Sequence, residues 1–426
     1  MVTMVAAQEP VAMARMDCRT DALDGIDRDM TIALLTPWNQ QCGNAEFAKR
    51  LVVGLSRFAH VLPIELENLN DHDTLDTRRK RSRYIDDLIE RTNAAPADLV
   101  HIQHEFCFFG RRVRDANGGF QRVMRAIRKP VVLSLHTWTR GMSRRPHRSL
   151  LKQGMESIMH RLRNRAIKDS LGRADAIILH SKDTRAQCLA VYPKLKKRLH
   201  LLPIPVEPVN ADGITPPFRK RPGERWIVLP GFVSRYKGHR HLLEALKFLP
   251  EDHRAVFAGS VHPKDRTGHE YWSRLLAAID EMGCHERVIF TGFLGDPAEQ
   301  SAVLRQADAF VLPYDEVGQS GSAVLADALS HGKPVITSLA RSMFVYRHDS
   351  DTVFSSVAVD VSDPEKLAAT IIEATDPVAC PRRRLHQSTV CDRFSLARTA
   401  VGYEQVYRSV LERKDTEKAV CARKAA

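Results

Sequence analysis

Short, unbroken apolar runs alternate with longer stretches in which apolar residues recur every three or four positions. In the first half the runs are TIALLT (31–36), HVLPIEL (60–66), DLVHIQH (98–104), VVLSLH (131–136) and AIILHS (176–181). In the second they are WIVLPG (226–231), RAVFAG (254–259), RVIFTG (287–292), AFVLPY (309–314) and PVITS (334–338). Continuous apolar runs read as parallel strands covered on both faces. The stretches between them keep a helical period, as in Ala45–Arg57, which places Phe47, Leu51, Val52 and Leu55 on one face. Further helices are expected at His239–Leu249, Gly268–Met282 and Ala298–Gln306. Strand–helix–strand repetition predicts α/β domains with parallel sheets and right-handed crossovers. A polar, proline-rich stretch from Pro203 to Gly223 separates the halves, so two doubly wound domains joined there are expected, with mobile ends.

Composition changes this picture in one place. Hydrophobic residues at 43% and charged residues at 27% of 426 positions are ordinary for a soluble globular chain of two domains. No apolar run approaches the ~20 residues of a membrane-spanning helix. The acidic start (Glu9, Asp17, Asp21, Asp24, Asp27) lacks the order of a secretory signal. Eight scattered cysteines without a C-x-x-C pair indicate neither a zinc cage nor a disulfide framework and fit a reducing, cytoplasmic setting. The formal charge of +13 is the exception, because residues 101–205 hold 23 basic against 6 acidic side chains. Either a solvated face or a surface for an anionic partner accounts for such a stretch.

Ligands of doubly wound sheets sit beyond the carboxyl ends of the strands, so the turns there carry the chemistry. The first turn, 37–45, has a lone Gly43 and no G-x-G-x-x-G, which argues against a dinucleotide-binding dehydrogenase. Gly43 either makes the turn or lets the backbone approach an anion. In the second half, Ser320-Gly321-Ser322-Ala323 opens a helix whose unpaired N–H groups suit a diphosphate. Gln319 offers an amide to sugar hydroxyls, and Asp327, further along the helix, offers a carboxylate to a ribose. Equally, Ser320 or Ser322 is an N-cap and Asp327 a surface residue, and spacing leaves both readings open. His104-Glu105 after the third strand is a polar pair expected to face the same crevice.

At these residues the chain resembles the retaining GT-B glycosyltransferases of family four. That family's donor signature is two glutamates with seven residues between them, then Ala and later G-x-P-V. Here the positions read Gln319 and Asp327, followed by Ala328 and Gly332-Lys333-Pro334-Val335. Gly231-Phe232-Val233-Ser234-Arg235-Tyr236-Lys237-Gly238 is similar to the family's G-R-L-x-x-x-K-G loop. Arg287–Tyr314, which includes Phe293, looks like its base-binding segment and the following strand. Cys42-Gly43-Asn44-Ala45-Glu46-Phe47 resembles the acceptor-side glycine loop, Leu135-His136-Thr137 the strand-end histidine, and Phe394–Tyr407 the closing helix. The resemblance covers about residues 31–410. It implies a GT-B fold, two Rossmann-like doubly wound parallel-sheet domains facing each other across a cleft. The acceptor-side domain is then 31–205, the linker 206–224, the donor domain 225–393 and the crossing helix 394–414, with tails at 1–30 and 415–426.

The resemblance further implies transfer of a sugar from a UDP- or GDP-sugar, without a metal and with retention, to a glycan or lipid-linked acceptor. The catalytic groups it implies are His136, Lys237 and Gln319. The donor contacts it implies are Gly43, Arg235, Lys237, Phe293, Gln319, Ser320, Gly321, Ser322, Ala323 and Asp327, with His104 and Glu105 in a second tier. Three positions depart from the pattern: Phe232 replaces an arginine, Gln319 a glutamate, and Asp327 is one methylene short of its counterpart. Residues 148–168 form a basic amphipathic pattern, which suits either an anionic membrane surface or a core-facing stripe. A phosphorylated or lipid-carried acceptor at the inner face of a membrane is the favoured expectation. Nucleic acid is not expected, since Arg78-Arg79-Lys80-Arg81 is a short run without interleaved aromatics. A nucleotide-sugar epimerase and a non-catalytic sugar-nucleotide or polyanion binder stay open as other readings.

Overall fold

The structure, a computed structural model, describes residues 30–40, 42–69, 77–111, 113–138, 166–262, 265–315, 319–346, 356–376 and 390–425. The first lobe's sheet holds β1 (Thr31–Thr36), β2 (His60–Glu65), β3 (Leu99–His104), β4 (Val131–Leu135), β5 (Ala176–Leu179) and β6 (Leu199–Leu201), in the order β2-β1-β3-β4-β5-β6. The second lobe's holds β7 (Arg225–Pro230), β8 (His253–Ala258), β9 (Val288–Phe290), β10 (Ala309–Leu312), β11 (Val335–Thr337) and β12 (Ser356–Ala358), in the order β12-β11-β10-β7-β8-β9. Neighbouring strands are parallel throughout. Central strands β3, β4, β5 and β10 are buried along their whole length, which is why their sequences are apolar without alternation. Edge strands β6 and β12, three residues each, lie outside the runs read from the sequence.

Strand order reverses between β1 and β3 in one lobe and between β7 and β10 in the other. At such a switch point the connections leave in opposite directions and open a crevice at the carboxyl ends. The helices that flank these crevices are α1 (Gly43–Leu55), α2 (Arg78–Ala94), α3 (Val113–Ala126) and α4 (Lys182–Val191), followed by α5 (His239–Ala245), α6 (Arg266–Met282), α7 (Pro297–Leu304), α8 (Ala323–Ser330) and α9 (Pro364–Thr375). Several starts are fixed by side-chain caps. Ser181 Oγ accepts from Thr184 N–H at 3.1 Å and Ser322 Oγ from Leu325 N–H at 3.1 Å, while Asp296 and Asp363 cap helices with proline in the first turn.

The last helix, α10 (Leu396–Ala425), returns to the first lobe. Its Tyr403, Tyr407 and Val410 share one buried cluster with Phe47 and Leu51 of α1 and with Trp226 and Phe310 of the second sheet. Tyr407 hydroxyl lies 2.9 Å from His101 Nδ1, whose Nε2 lies 2.9 Å from Ser134 Oγ, so α10 is tied to β3 and β4 by polar groups deep in the core. Here the expected boundary is corrected: the helix runs to Ala425 rather than ending at 414. Lysine, glutamate and alanine favour helix there, and Lys414–Glu417 and Lys418–Asp415 pair along one face. Most of the basic amphipathic stretch, 148–165, lies outside the described residues.

Among the described residues the chain crosses between lobes twice, side by side. Val206 N–H donates to Phe394 carbonyl at 2.8 Å, and Leu396 N–H to Glu207 Oε2 at 2.9 Å. Tyr346 hydroxyl adds a third tie, donating to Ile204 carbonyl at 2.7 Å.

Candidate active site

The second-lobe switch point is built around Lys237. Its short turn, Arg235–Lys237, follows the β7 loop and closes at Gly238 in the left-handed region (φ 71°), where a Cβ would sit 1.9 Å from Pro313 carbonyl oxygen. Glycine at 238 therefore lets the loop lie against the end of β10. The turn folds the lysine back beneath the strand end. A Cβ on Gly231 would lie 2.3 Å from Lys237 Nζ and 3.5 Å from Val324, so the ammonium lies beside Gly231, close to the start of α8. It also sits 5.9 Å from the Tyr314 ring centroid. Lys237 is only 5% exposed, and its ammonium makes no hydrogen bond or ion pair among the described residues. Burial lowers its pKa to about 8.

Around this cation the other expected donor contacts divide. Ser322 is the N-cap of α8, and its hydroxyl serves Leu325 N–H. Ala323, the first helical residue, is exposed, and Asp327 is half-buried with its carboxylate 3.8 Å from His331 Nε2. Arg235 is exposed on the turn. Phe293 is 47% exposed and lies parallel to Phe232, centroids 6.0 Å apart, and His262 meets the Phe232 ring edge-to-face at 5.2 Å. The position where the family pattern has an arginine thus belongs to an aromatic group at the ends of β7, β8 and β9.

Ser320 turns away from the phosphate role expected of it. Its N–H donates to His136 carbonyl at 2.9 Å, and its Oγ lies 2.7 and 2.9 Å from the carbonyl oxygens of Leu135 and His136. Gln319 forms an antiparallel bridge with Thr137. Ser320 is fully buried, and its N–H and hydroxyl are taken up by the last residue of the other lobe's β4 and the residue after it, so it joins the lobes. Gly321 follows at close quarters, where a Cβ would meet Ile204 Cδ1 at 3.1 Å and His180 Cβ at 3.2 Å.

On the first-lobe side, the seam brings His136 to the crevice wall. Its ring is 8% exposed and lies 4.9 Å from the His180 ring and 5.5 Å from Phe47, centroid to centroid. Burial, then repulsion from His180, His101 and His104, holds its pKa well below the usual value, so the ring is neutral. His180 Nδ1 donates to Leu202 carbonyl at 2.9 Å, which leaves its Nε2 as an acceptor. Neither His136 Nε2 nor His180 Nε2 has a partner among the described residues. His180 was not anticipated, although the run AIILH ends in histidine just as VVLSLH does.

Glu105 accepts from Thr137 Oγ1 at 2.6 Å, directly behind the bridge to Gln319, and burial raises its pKa to about 7. His104 does not face the crevice. Strand alternation turns it the opposite way, among Phe106, Phe109 and Phe120, where burial takes its pKa down to about 3. Gly43 opens α1 with nothing within 4 Å of a Cβ there, so the position borders open space. The turn before it is pinned by Glu65, which accepts from Asn39 N–H at 3.0 Å and Asn39 Nδ2 at 2.9 Å. No group of three or more potential metal ligands occurs among the described residues, and none of the described helices is long and apolar enough to cross a membrane.

Residues 224–376 match the family model described as glycosyl transferases group 1, and residues 54–209 match that of Glycosyltransferase Family 4. No curated protein sequence matches the chain. Among solved structures, sucrose-phosphate synthase from Thermosynechococcus elongatus is similar at a TM-score of 0.66 and 17% identity, over 90% of this chain and 99% of that one. HepE from Anabaena, solved with UDP, is similar at 0.59 and 14% identity, over 89% and 100%. A trehalose-phosphate synthase from Burkholderia xenovorans, solved with glucose-6-phosphate, is similar at 0.63 and 11% identity, over 88% and 99%. The chain therefore has the GT-B fold, and the two family matches, one in each lobe, support a glycosyltransferase.

Proposed function

We propose that this protein moves a sugar from a nucleoside-diphosphate donor to a hydroxyl of a phosphorylated or lipid-linked glycan, with retention at the anomeric carbon. The observation that carries this reading is the Lys237 ammonium, buried without a described counter-charge where the glycine loop meets the start of α8. A buried charge costs several kcal/mol unless it is paired, so the place is made for an anion that arrives with the substrate. The first N–H groups of α8 point the same way as the helix dipole and add about 0.3–1 kcal/mol. Lys237 and these amides hold the diphosphate, Asp327 the ribose, and the Phe232–Phe293 pair the base.

His136, neutral and with Nε2 unpartnered, receives a hydroxyl of the donor sugar from the acceptor side. Gln319 approaches the same sugar from the seam. In the reaction the acceptor oxygen bonds to the anomeric carbon on the face the diphosphate leaves, and its proton passes to a departing phosphate oxygen. Lys237 meets the charge that develops on that oxygen, the point where preorganised groups contribute most. No metal has a role in this scheme. The complexes of similar structures with UDP and with glucose-6-phosphate favour the donor and acceptor classes, and the basic residues of 101–205 favour an anionic acceptor.

The test is incubation with a panel of UDP- and GDP-sugars, with and without lipid extract or sugar phosphates, following nucleotide release and anomeric configuration. Acceptor-dependent release, reduced at least 100-fold by Lys237→Ala, is expected. Isomerised donor without an acceptor would make the protein an epimerase, and binding without turnover a carrier or sensor.

A further inference from the structure

Away from the cleft, a hollow of about 600 Å3 opens over the edge strand β6, walled by α4 on one side and α10 on the other. Lys182, Arg185 and His200 line it together with the Gln405 amide, and no carboxylate does. The nearest acid along α4, Asp183, is engaged elsewhere: it accepts from Gln187 Nε2 at 2.6 Å and faces Arg341 at 3.7 Å. The Arg185 guanidinium makes no hydrogen bond or ion pair among the described residues. Below the cations the floor is apolar, formed by Leu201, Leu202 and Val406. His200 is half-buried there; burial, then the positive charges of Arg413 and Arg185, lower its pKa.

Lys182 and Arg185, one turn apart on α4, stand with His200 of β6 over an open volume large enough for a small molecule. A phosphate accepts several charge-assisted hydrogen bonds, and an arginine fork with a nearby ammonium matches its geometry. The apolar floor suits the carbon body of the same molecule. We propose that this hollow is a second anion site that takes a phosphate ester of a small organic molecule, apart from the donor pocket of the other lobe. The phosphate belongs either to a free metabolite or to a lipid headgroup, and the two sources present the same chemistry to Arg185 and Lys182.

Calorimetric titration of the full chain with glycerol 3-phosphate, in the presence of excess UDP and again in Lys237→Ala protein, tests this without relying on the donor-site reading. Saturable binding that survives both conditions is expected, weakened at least tenfold by Arg185→Ser or Gln405→Glu and retained in Arg185→Lys, with thermal melts confirming that each variant is folded. A parallel arm uses phosphatidylcholine vesicles containing phosphatidic acid. Vesicle binding that is lost in Arg185→Ser assigns the site to a lipid headgroup, and glycerol phosphate binding alone assigns it to a free metabolite. Absence of saturable binding in both arms, or binding equal in all variants, overturns the proposal.

Discussion

Lys237 is held where a charge is hard to keep, and its proton is correspondingly loose. With a pKa near 8, it is an ammonium at neutral pH and an amine a unit or two above. UDP affinity should therefore be flat from pH 6.5 to about 7.5 and fall roughly tenfold per unit once the pH passes that pKa. Lys237→Ala should bind weakly at every pH, with no such fall, and calorimetry across pH 6.5–9.5 reads both. Glu105 works in the opposite sense. Its folded pKa of about 7 lies above the ordinary 4.5, so its contribution to stability is complete below 4.5 and is lost as the pH rises through 7. Glu105→Gln should consequently melt a few degrees higher than the parent at pH 8, with the gain shrinking toward pH 5. Residue types at these positions were readable in the sequence, but their surroundings were not. His104 and Glu105 are adjacent, yet alternation places one among phenylalanines and the other at the seam, and only the pairing of β3 with β4 decides which.

At the scale of elements, α8 depends on its cap. Ser322→Ala removes the acceptor for Leu325 N–H and should cost about 1 kcal/mol in urea unfolding, whereas Ser322→Gly should cost only a few tenths. The core strands and the order of helices were legible because buried parallel strands are apolar throughout and the stretches between them keep a helical period. The edge strands β6 and β12 were not, because their place is set by the neighbour they pair with, although β9 and β11, equally short, stood out inside longer apolar runs. Ser320 shows the same limit more sharply. From sequence it belonged to the helix opening, but its partners are Leu135 and His136, 185 and 184 residues earlier, and no local pattern signals such a contact.

Across the molecule, four buried histidines on β3, β4 and β5 or at their ends share one tendency. His101 and His104 have pKa values near 3, His180 near 4, and His136 is also well below 6.5. The unfolded chain takes up protons at these rings near pH 6.5 and the folded chain does not, so the stability they confer is present above that pH and drains away as it falls toward 4. Each ring contributes a slope of about 1.4 kcal/mol per pH unit, and unfolding midpoints in urea between pH 7 and 5 should move accordingly.

The paired crossings at Val206–Phe394 and Glu207–Leu396 have a mechanical consequence. A lone tether would let one lobe swivel freely over the other. Two chain segments laced together define an axle, so any motion that parted the lobes would be a hinge about it, like the covers of a book, and would first break the Ser320 bonds to Leu135 and His136.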